Sequence, residues 1–285
     1  MKKTIKAALA AVLSMSIFLG GCIKEDKNNG QISSEALHVY KSTTYVYSTA
    51  VDESVLTTEL SPAYLILANK TSVLGEEYVP TSLTPIGSRF VTENDRTGGL
   101  SLEAGANLAL SAMLLEMEAN GVTDIFVTSA YRSYAYQTRL FENYQTKESS
   151  TISEDARKYF GEAYIYENYT SKGKTKLTFS DAVEVVLSYS ARPGTSEHQT
   201  GLCVDFVTEE YGDRLDENFE KTQAYAWLRD NAYKFGFILR YPKEKTELTG
   251  YSYEPWHYRF VGREAATDMH FSGLCLEEYL NCLQS

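Results

Sequence analysis

The sequence predicts an α+β domain, on three observations. A strongly periodic helical segment, "SLEAGANLALSAMLLEMEANG", runs straight into the apolar strand-like "DIFVTSA". A second amphipathic segment, "KTQAYAWLRDNAYKFGF", runs into the short apolar run "FILRYP". No internal repeat is present, and helices alternate with strands too short to form a repetitive barrel.

In chain order, residues 1–22 have a basic start at Lys2, Lys3 and Lys6 and an uncharged apolar run from Ala7 to Gly20, the layout of a secretory signal rather than of a lasting transmembrane helix. They end in Leu19-Gly20-Gly21-Cys22, which resembles the lipobox of bacterial lipoproteins; that resemblance implies a lipidated Cys22 and an extracytoplasmic protein anchored to the bacterial cell membrane. Residues 23–55 are polar and aperiodic and read as a tether, with a short strand near Tyr45 to Tyr47. From Leu56 to residue 285 the apolar density is that of a folded domain.

Within that domain Ser101 is the expected N-cap of the first helix, and Ala106, Leu110, Met113, Leu114 and Met117 recur at helical spacing up to a stop at Gly121. A strand is predicted over Asp124 to Ala130, and a helix just past Arg132. Residues 145–178 are polar and Tyr-rich and read as an insertion. A helix capped by Ser180 follows, then a strand over Leu202 to Val207, the helix closed by Gly236, and a strand ended by Pro242.

Charge narrows the function. Residues 1–22 hold three lysines and no acid, so the rest carries 24 basic against 38 acidic side chains, a formal charge of −14. Such a surface excludes nucleic acid as a partner held by charge and leaves small or peptide ligands open. A monomer is the default expectation. Beyond Cys22 the cysteines are Cys203, Cys275 and Cys282. An extracytoplasmic location permits a bridge between Cys275 and Cys282, although proximity in sequence does not establish its geometry.

Chemistry concentrates in three stretches. "GTSEHQTGLCVDF" places His198 in a tight bend and Asp205 inside an apolar strand, where a carboxylate costs stability unless something pairs with it. Strand alternation sends Leu202, Val204 and Phe206 to one face and Cys203, Asp205 and Val207 to the other. "TGYSYEPWHYRF" adds His257 three residues after Glu254, and Pro255 keeps Glu254 out of helical geometry. Two histidines and a carboxylate are a common catalytic zinc set, and a non-ligating carboxylate beside them can take a proton from water. His198, Asp205 and His257 are the candidate ligands and Glu254 the candidate base. Arg132, in "SAYRSYAYQ", offers a guanidinium fork to a carboxylate or an oxyanion. His38 and His270 read as a solvated and a packed histidine.

Taken together, "SAYRSYAYQ", "SARPGTSEHQTGLCVDF" and "EPWHYRF", with "LILANKTSVLGEEYVP" ahead of them, resemble the VanY-like D-alanyl-D-alanine carboxypeptidases and the related L,D-carboxypeptidases. The resemblance implies a small antiparallel sheet flanked by helices, as in the hedgehog signalling domain. It also implies zinc held by His198, Asp205 and His257, with Glu254 activating water and peptidoglycan stem peptides as substrate. Arg132, Gln137 and Ser196 then match positions that hold the substrate's terminal residue and the reacting carbonyl. Cys203 stands where such sequences usually have a small residue such as alanine, and the stretch from Gln145 to Thr178 is longer than usual. A non-catalytic zinc-containing wall-peptide module, an endopeptidase or dipeptidase on the same scaffold, and a Cys203 thiol hydrolase using His198 remain as alternatives.

Overall fold

The computed structural model describes residues 43–56, 60–93, 99–212 and 214–284. The signal segment, Cys22 and His38 lie outside them. Two short strands, β1 (Leu83–Pro85) and β2 (Ser101–Glu103), pair antiparallel and lead into the helix α1 (Ala104–Ala119). Ser101 is therefore a strand residue and not the cap. Pairing with Pro85 holds it extended, and the Glu103 carboxylate accepts from the amides of Gly105 and Ala106 instead. The expected apolar face of α1 is buried: Ala106, Leu110, Met113, Leu114 and Met117 are at most 1% exposed.

That face covers a four-stranded antiparallel sheet of β3 (Ile125–Ser129), β4 (Cys203–Thr208), β5 (Phe237–Leu239) and β6 (His257–Phe260), ordered β3-β4-β6-β5. Leu202, Val204, Phe206, Tyr258 and Phe260 join α1 in the main core, with residues of α6 (Gln223–Asn231). Ile238 and Val261 pack instead with α8 (Arg263–Ser272) and α9 (Leu276–Gln284) in a second apolar cluster. A four-residue helix, α7 (Thr246–Thr249), lies between β5 and β6.

The stretch read as an insertion is helical. α2 (Tyr134–Ser150), capped by Ser133, continues into it, and α3 (Glu154–Phe160) and α4 (Glu162–Asn168) follow. Together with α5 (Phe179–Leu187) they enclose a small cluster of their own, including Ala156, Ile165, Tyr169 and Val185. Thr178, not Ser180, caps α5: its hydroxyl accepts from the Asp181 amide.

Residues 43–56, at the end of the stretch read as a tether, lie against the domain and contain no strand. Tyr47 packs on Phe235 with ring centroids 5.4 Å apart, Glu116 accepts from the Ser48 and Thr49 amides, and Arg263 pairs with Glu53 at 2.8 Å. Cys275 and Cys282 are not bridged. Among the described residues no helix is long and apolar enough to cross a membrane.

Candidate active site

Sheet register brings the carboxylate and one histidine together. Asp205 of β4 lies directly opposite His257 of β6, and in an antiparallel pair such partners share a face. Asp205 Oδ1 is 2.9 Å from His257 Nδ1, and its Oδ2 is 3.1 Å from His198 Nε2. His198 arrives from a tight 3-10 turn, Glu197–Thr200, that ends at Gly201 with φ +67°. A second glycine fixes the approach to that turn. Gly194 has φ +81°, and a Cβ there would stand 2.6 Å from the Leu74 carbonyl oxygen, so only glycine fits.

Each imidazole is aimed by a bond on its far nitrogen. His198 Nδ1 donates to the Ala130 carbonyl at 2.6 Å, which leaves Nε2 as a lone pair facing Asp205. His257 is turned the other way: Nε2 donates to Glu197 at 3.1 Å and Nδ1 faces Asp205, with Glu254 3.8 Å away. Nitrogen lone pairs and carboxylate oxygens this close repel one another unless a proton or a cation lies among them. Burial and Arg132 push the His198 imidazolium down, yet Cys203 and Asp205 outweigh them and lift it to about 9. His257 is likewise held well above its ordinary value against burial, through Cys203, Asp205 and Glu197. The site is built to hold positive charge, and these donors fit a divalent metal whose ligands are oriented from behind.

Glu197, which the sequence reading passed over, anchors this arrangement. It is wholly buried and accepts from Arg240 Nε at 2.7 Å and from Arg259 Nη1 at 2.6 Å. Arg240 also forks onto Glu277 at 2.7 and 2.9 Å, and Arg259 donates to the carbonyls of Tyr64, Ile66 and Phe260. Burial alone would raise the Glu197 carboxyl, but the two guanidiniums hold it well below its usual range. The sequence shows only that Arg240 follows one apolar strand run and Arg259 interrupts another, where an unpaired charge is not tolerated; it does not name Glu197 as their partner.

Glu254 sits before the turn that enters β6. Its amide donates to Tyr241, and its own carbonyl accepts from the His257 amide. Its side chain keeps 22% exposure, toward the cavity it lines. Burial pushes its carboxyl up to about 7, against the pull of His257 and with Asp205 adding to the rise. A carboxylate with that affinity can both take and return a proton near neutral pH.

These groups line one side of a cavity of about 1320 Å³, together with Arg132 and Ser196. The Arg132 amide donates to the His198 carbonyl at 3.1 Å, and its buried Nε has no hydrogen-bond partner among the described residues. Gln137 lies behind the wall, not among the lining residues; its amide donates to the Ala191 carbonyl at 2.8 Å and so holds the loop ahead of Ser196. The opposite wall comes from α2, α3 and α5 and includes Asp155, Lys158, Tyr159 and Glu184. Cys203 is completely buried, which excludes it as a nucleophile toward a peptide. His270 stacks on Tyr233 at 4.0 Å, away from these residues.

An oriented His, Asp and His donor set with a carboxylate beside it, at the wall of an open cleft, defines the class: a mononuclear metallohydrolase type of centre. The family model for VanY, D-alanyl-D-alanine carboxypeptidase, matches residues 99–263, and the chain belongs to that family. A D-alanyl-D-alanine carboxypeptidase of Enterococcus faecalis (strain ATCC 700802 / V583) is 50% identical over 113 residues, 40% of this chain and 39% of that protein. Matches to the curated relatives span between 31% and 61% of their lengths. Among solved structures, the LdcB LD-carboxypeptidase is 32% identical with a TM-score of 0.58, over 82% of this chain and 92% of that one. A mutant of the vancomycin resistance D,D-pentapeptidase VanY from the VanB-type resistance cassette, in complex with Zn(II), is 34% identical with a TM-score of 0.55, over 77% of this chain and 99% of that one.

Proposed function

We propose that the protein is a zinc carboxypeptidase that removes the C-terminal D-alanine from peptidoglycan stem peptides. The observation that carries this reading is the convergence of His198 Nε2, Asp205 and His257 Nδ1, each nitrogen freed by a bond on the other side of its ring, with Glu254 beside them on the cavity. Zinc held by those residues supplies a Lewis acid that polarises the scissile carbonyl and makes nearby water easier to deprotonate. Glu254 takes the proton from the attacking water and later gives it to the leaving amine, a task suited to a carboxyl pushed up to about 7. Arg132 donates to the oxygen on which negative charge develops or to the terminal carboxylate, and Ser196 borders the same space. Gln137 serves from behind by fixing the Ala191 loop. No covalent intermediate is required.

The similarity to both a D,D-pentapeptidase and an LD-carboxypeptidase supports the substrate class and leaves two stems to compare, those ending in one and in two D-alanines. Lipidation at Cys22 would hold the monomeric enzyme on the outer face of the membrane, beside the wall it trims. The test is mass spectrometry of both stems after incubation with the protein, with chelator and after zinc is restored. Zinc-dependent loss of one alanine supports the enzyme, and the stem that is trimmed assigns D,D or L,D preference. Stems that bind the zinc-loaded protein and stay intact favour a wall-peptide binding module instead. Loss of the membrane fraction on Cys22→Ala checks the anchor.

A further inference from the structure

The metal centre contains a donor that the reaction above does not use. Cys203 stands two residues before Asp205 on the same face of β4 and is completely buried. His198, Cys203 and His257 each bring one donor atom within 4.8 Å of the other two. Leu202, Val204 and Phe206 of the same strand belong to the main core, on the face opposite Cys203. Its partner across the sheet is Arg259, whose guanidinium is on Glu197. Two imidazoles therefore border the sulfur, neighbours that suit a metal donor.

We propose that Cys203 is a direct sulfur ligand of the metal in the resting protein, beside His198, Asp205 and His257. A tetrahedral zinc with bonds of about 2.0–2.1 Å to nitrogen and about 2.3 Å to sulfur separates its donors by about 3.3–3.6 Å. The cluster closes to those separations by side-chain movements of about an ångström, available to a cysteine rotating about χ1. Zinc also accepts five ligands, so a fourth protein donor still leaves a position on the cavity side. On binding, the Cys203 thiol loses its proton to solvent and a sulfur lone pair forms the bond to the metal; nothing is oxidised or reduced. A sulfur donor biases the centre toward thiophilic cations such as Cd²⁺ over the preference of a purely nitrogen and oxygen set.

The inference needs only that the centre binds zinc, whichever peptide is cut. X-ray absorption at the zinc edge on the zinc-loaded protein reads it directly. The expected result is a sulfur shell near 2.3 Å, about the ordinary zinc–thiolate distance, that disappears in Cys203→Ala. The cobalt-substituted protein should show a near-ultraviolet sulfur-to-cobalt charge-transfer band that is likewise lost in that variant. A zinc-loaded wild-type protein whose only shell is nitrogen and oxygen overturns the inference, and this reading stands even if Cys203→Ala does not fold. The zinc content of the same sample separates a missing sulfur from a centre that binds no metal, so failure here and failure of the peptidase reading are distinguishable.

Discussion

The two walls of the cavity are held by different means. On the wall that carries the candidate metal ligands, Glu197, Arg240 and Arg259 are wholly buried and joined by charge-assisted bonds of 2.6–2.7 Å, and His198, Asp205 and His257 are at most 4% exposed. The facing wall comes from α2, α3 and α5; its seven-residue helix α3 buries Ala156 and leaves Tyr159 at 47% exposure. The first wall is over-determined, as a chemical centre must be, since a misplacement of about 1 Å can cost about 100-fold in rate. The second rests on a small apolar cluster of its own, and elements with few buried apolar contacts belong to the low-stability end of a fold. Reactivity and reach are therefore carried by separate parts of the molecule.

The largest effect belongs to the one residue of the rigid wall assigned to proton transfer. Glu254→Gln should lower turnover of the trimmed stem by about 10²–10⁴-fold, with zinc content by metal analysis unchanged. An active Glu254→Gln protein would remove Glu254 from the mechanism.

Glu197→Gln comes next and acts on stability. Leaving Arg240 and Arg259 without their shared carboxylate should cost about 3–5 kcal/mol in urea unfolding at neutral pH and weaken zinc binding by about 10–100-fold. The sign with pH follows from the depressed carboxyl: folding holds Glu197 ionised, so its contribution is complete above its ordinary value of 4.5 and fades as pH falls below it. The variant should therefore show a smaller loss of stability between pH 6 and about pH 3 than the wild type. Equal acid sensitivity of the two proteins would show that the network is not what holds the wall.

Legibility in the sequence divides along the same line. His198, Asp205, His257 and Glu254 could be read because each is a costly residue in an apolar or bent context, and the face assignment of β4 followed from its period of two. Glu197 could not be read, because an acid beside a histidine in a polar bend looks like any solvated carboxylate until two distant strands deliver Arg240 and Arg259 to it. Ser101 was misread as a cap for a related reason: nothing local shows that β1 will hold it extended. α2 and α5 were legible as helices, but α3 and α4 were not, because their apolar residues face one another in a cluster too small to impose a clear period.

A change in that cluster should move reach and leave chemistry alone. Ile165→Ala removes a fully buried side chain and should destabilise the helical wall by about 2–5 kcal/mol. Hydrogen exchange should then quicken in α3 and α4 while β4 and β6 stay protected, and zinc affinity should not change. KM should rise more than kcat falls, since binding contacts on that wall are shared by substrate and transition state. Faster exchange in β4 would show that the two walls unfold as one unit.

The smallest effect is expected at the rim itself. Tyr159 lines the cavity from α3 while about half exposed, so a peptide passing it gains contact area but no desolvated anchor. Tyr159→Ala should raise KM by less than about tenfold, under about 1.4 kcal/mol, with kcat unchanged. The effect should be visible for a full stem peptide and absent for a short peptide that reaches only Arg132 and Glu254. Equal loss on both substrates would place Tyr159 with the reacting groups, and a fall in kcat approaching that of Glu254→Gln would dissolve the distinction between the walls.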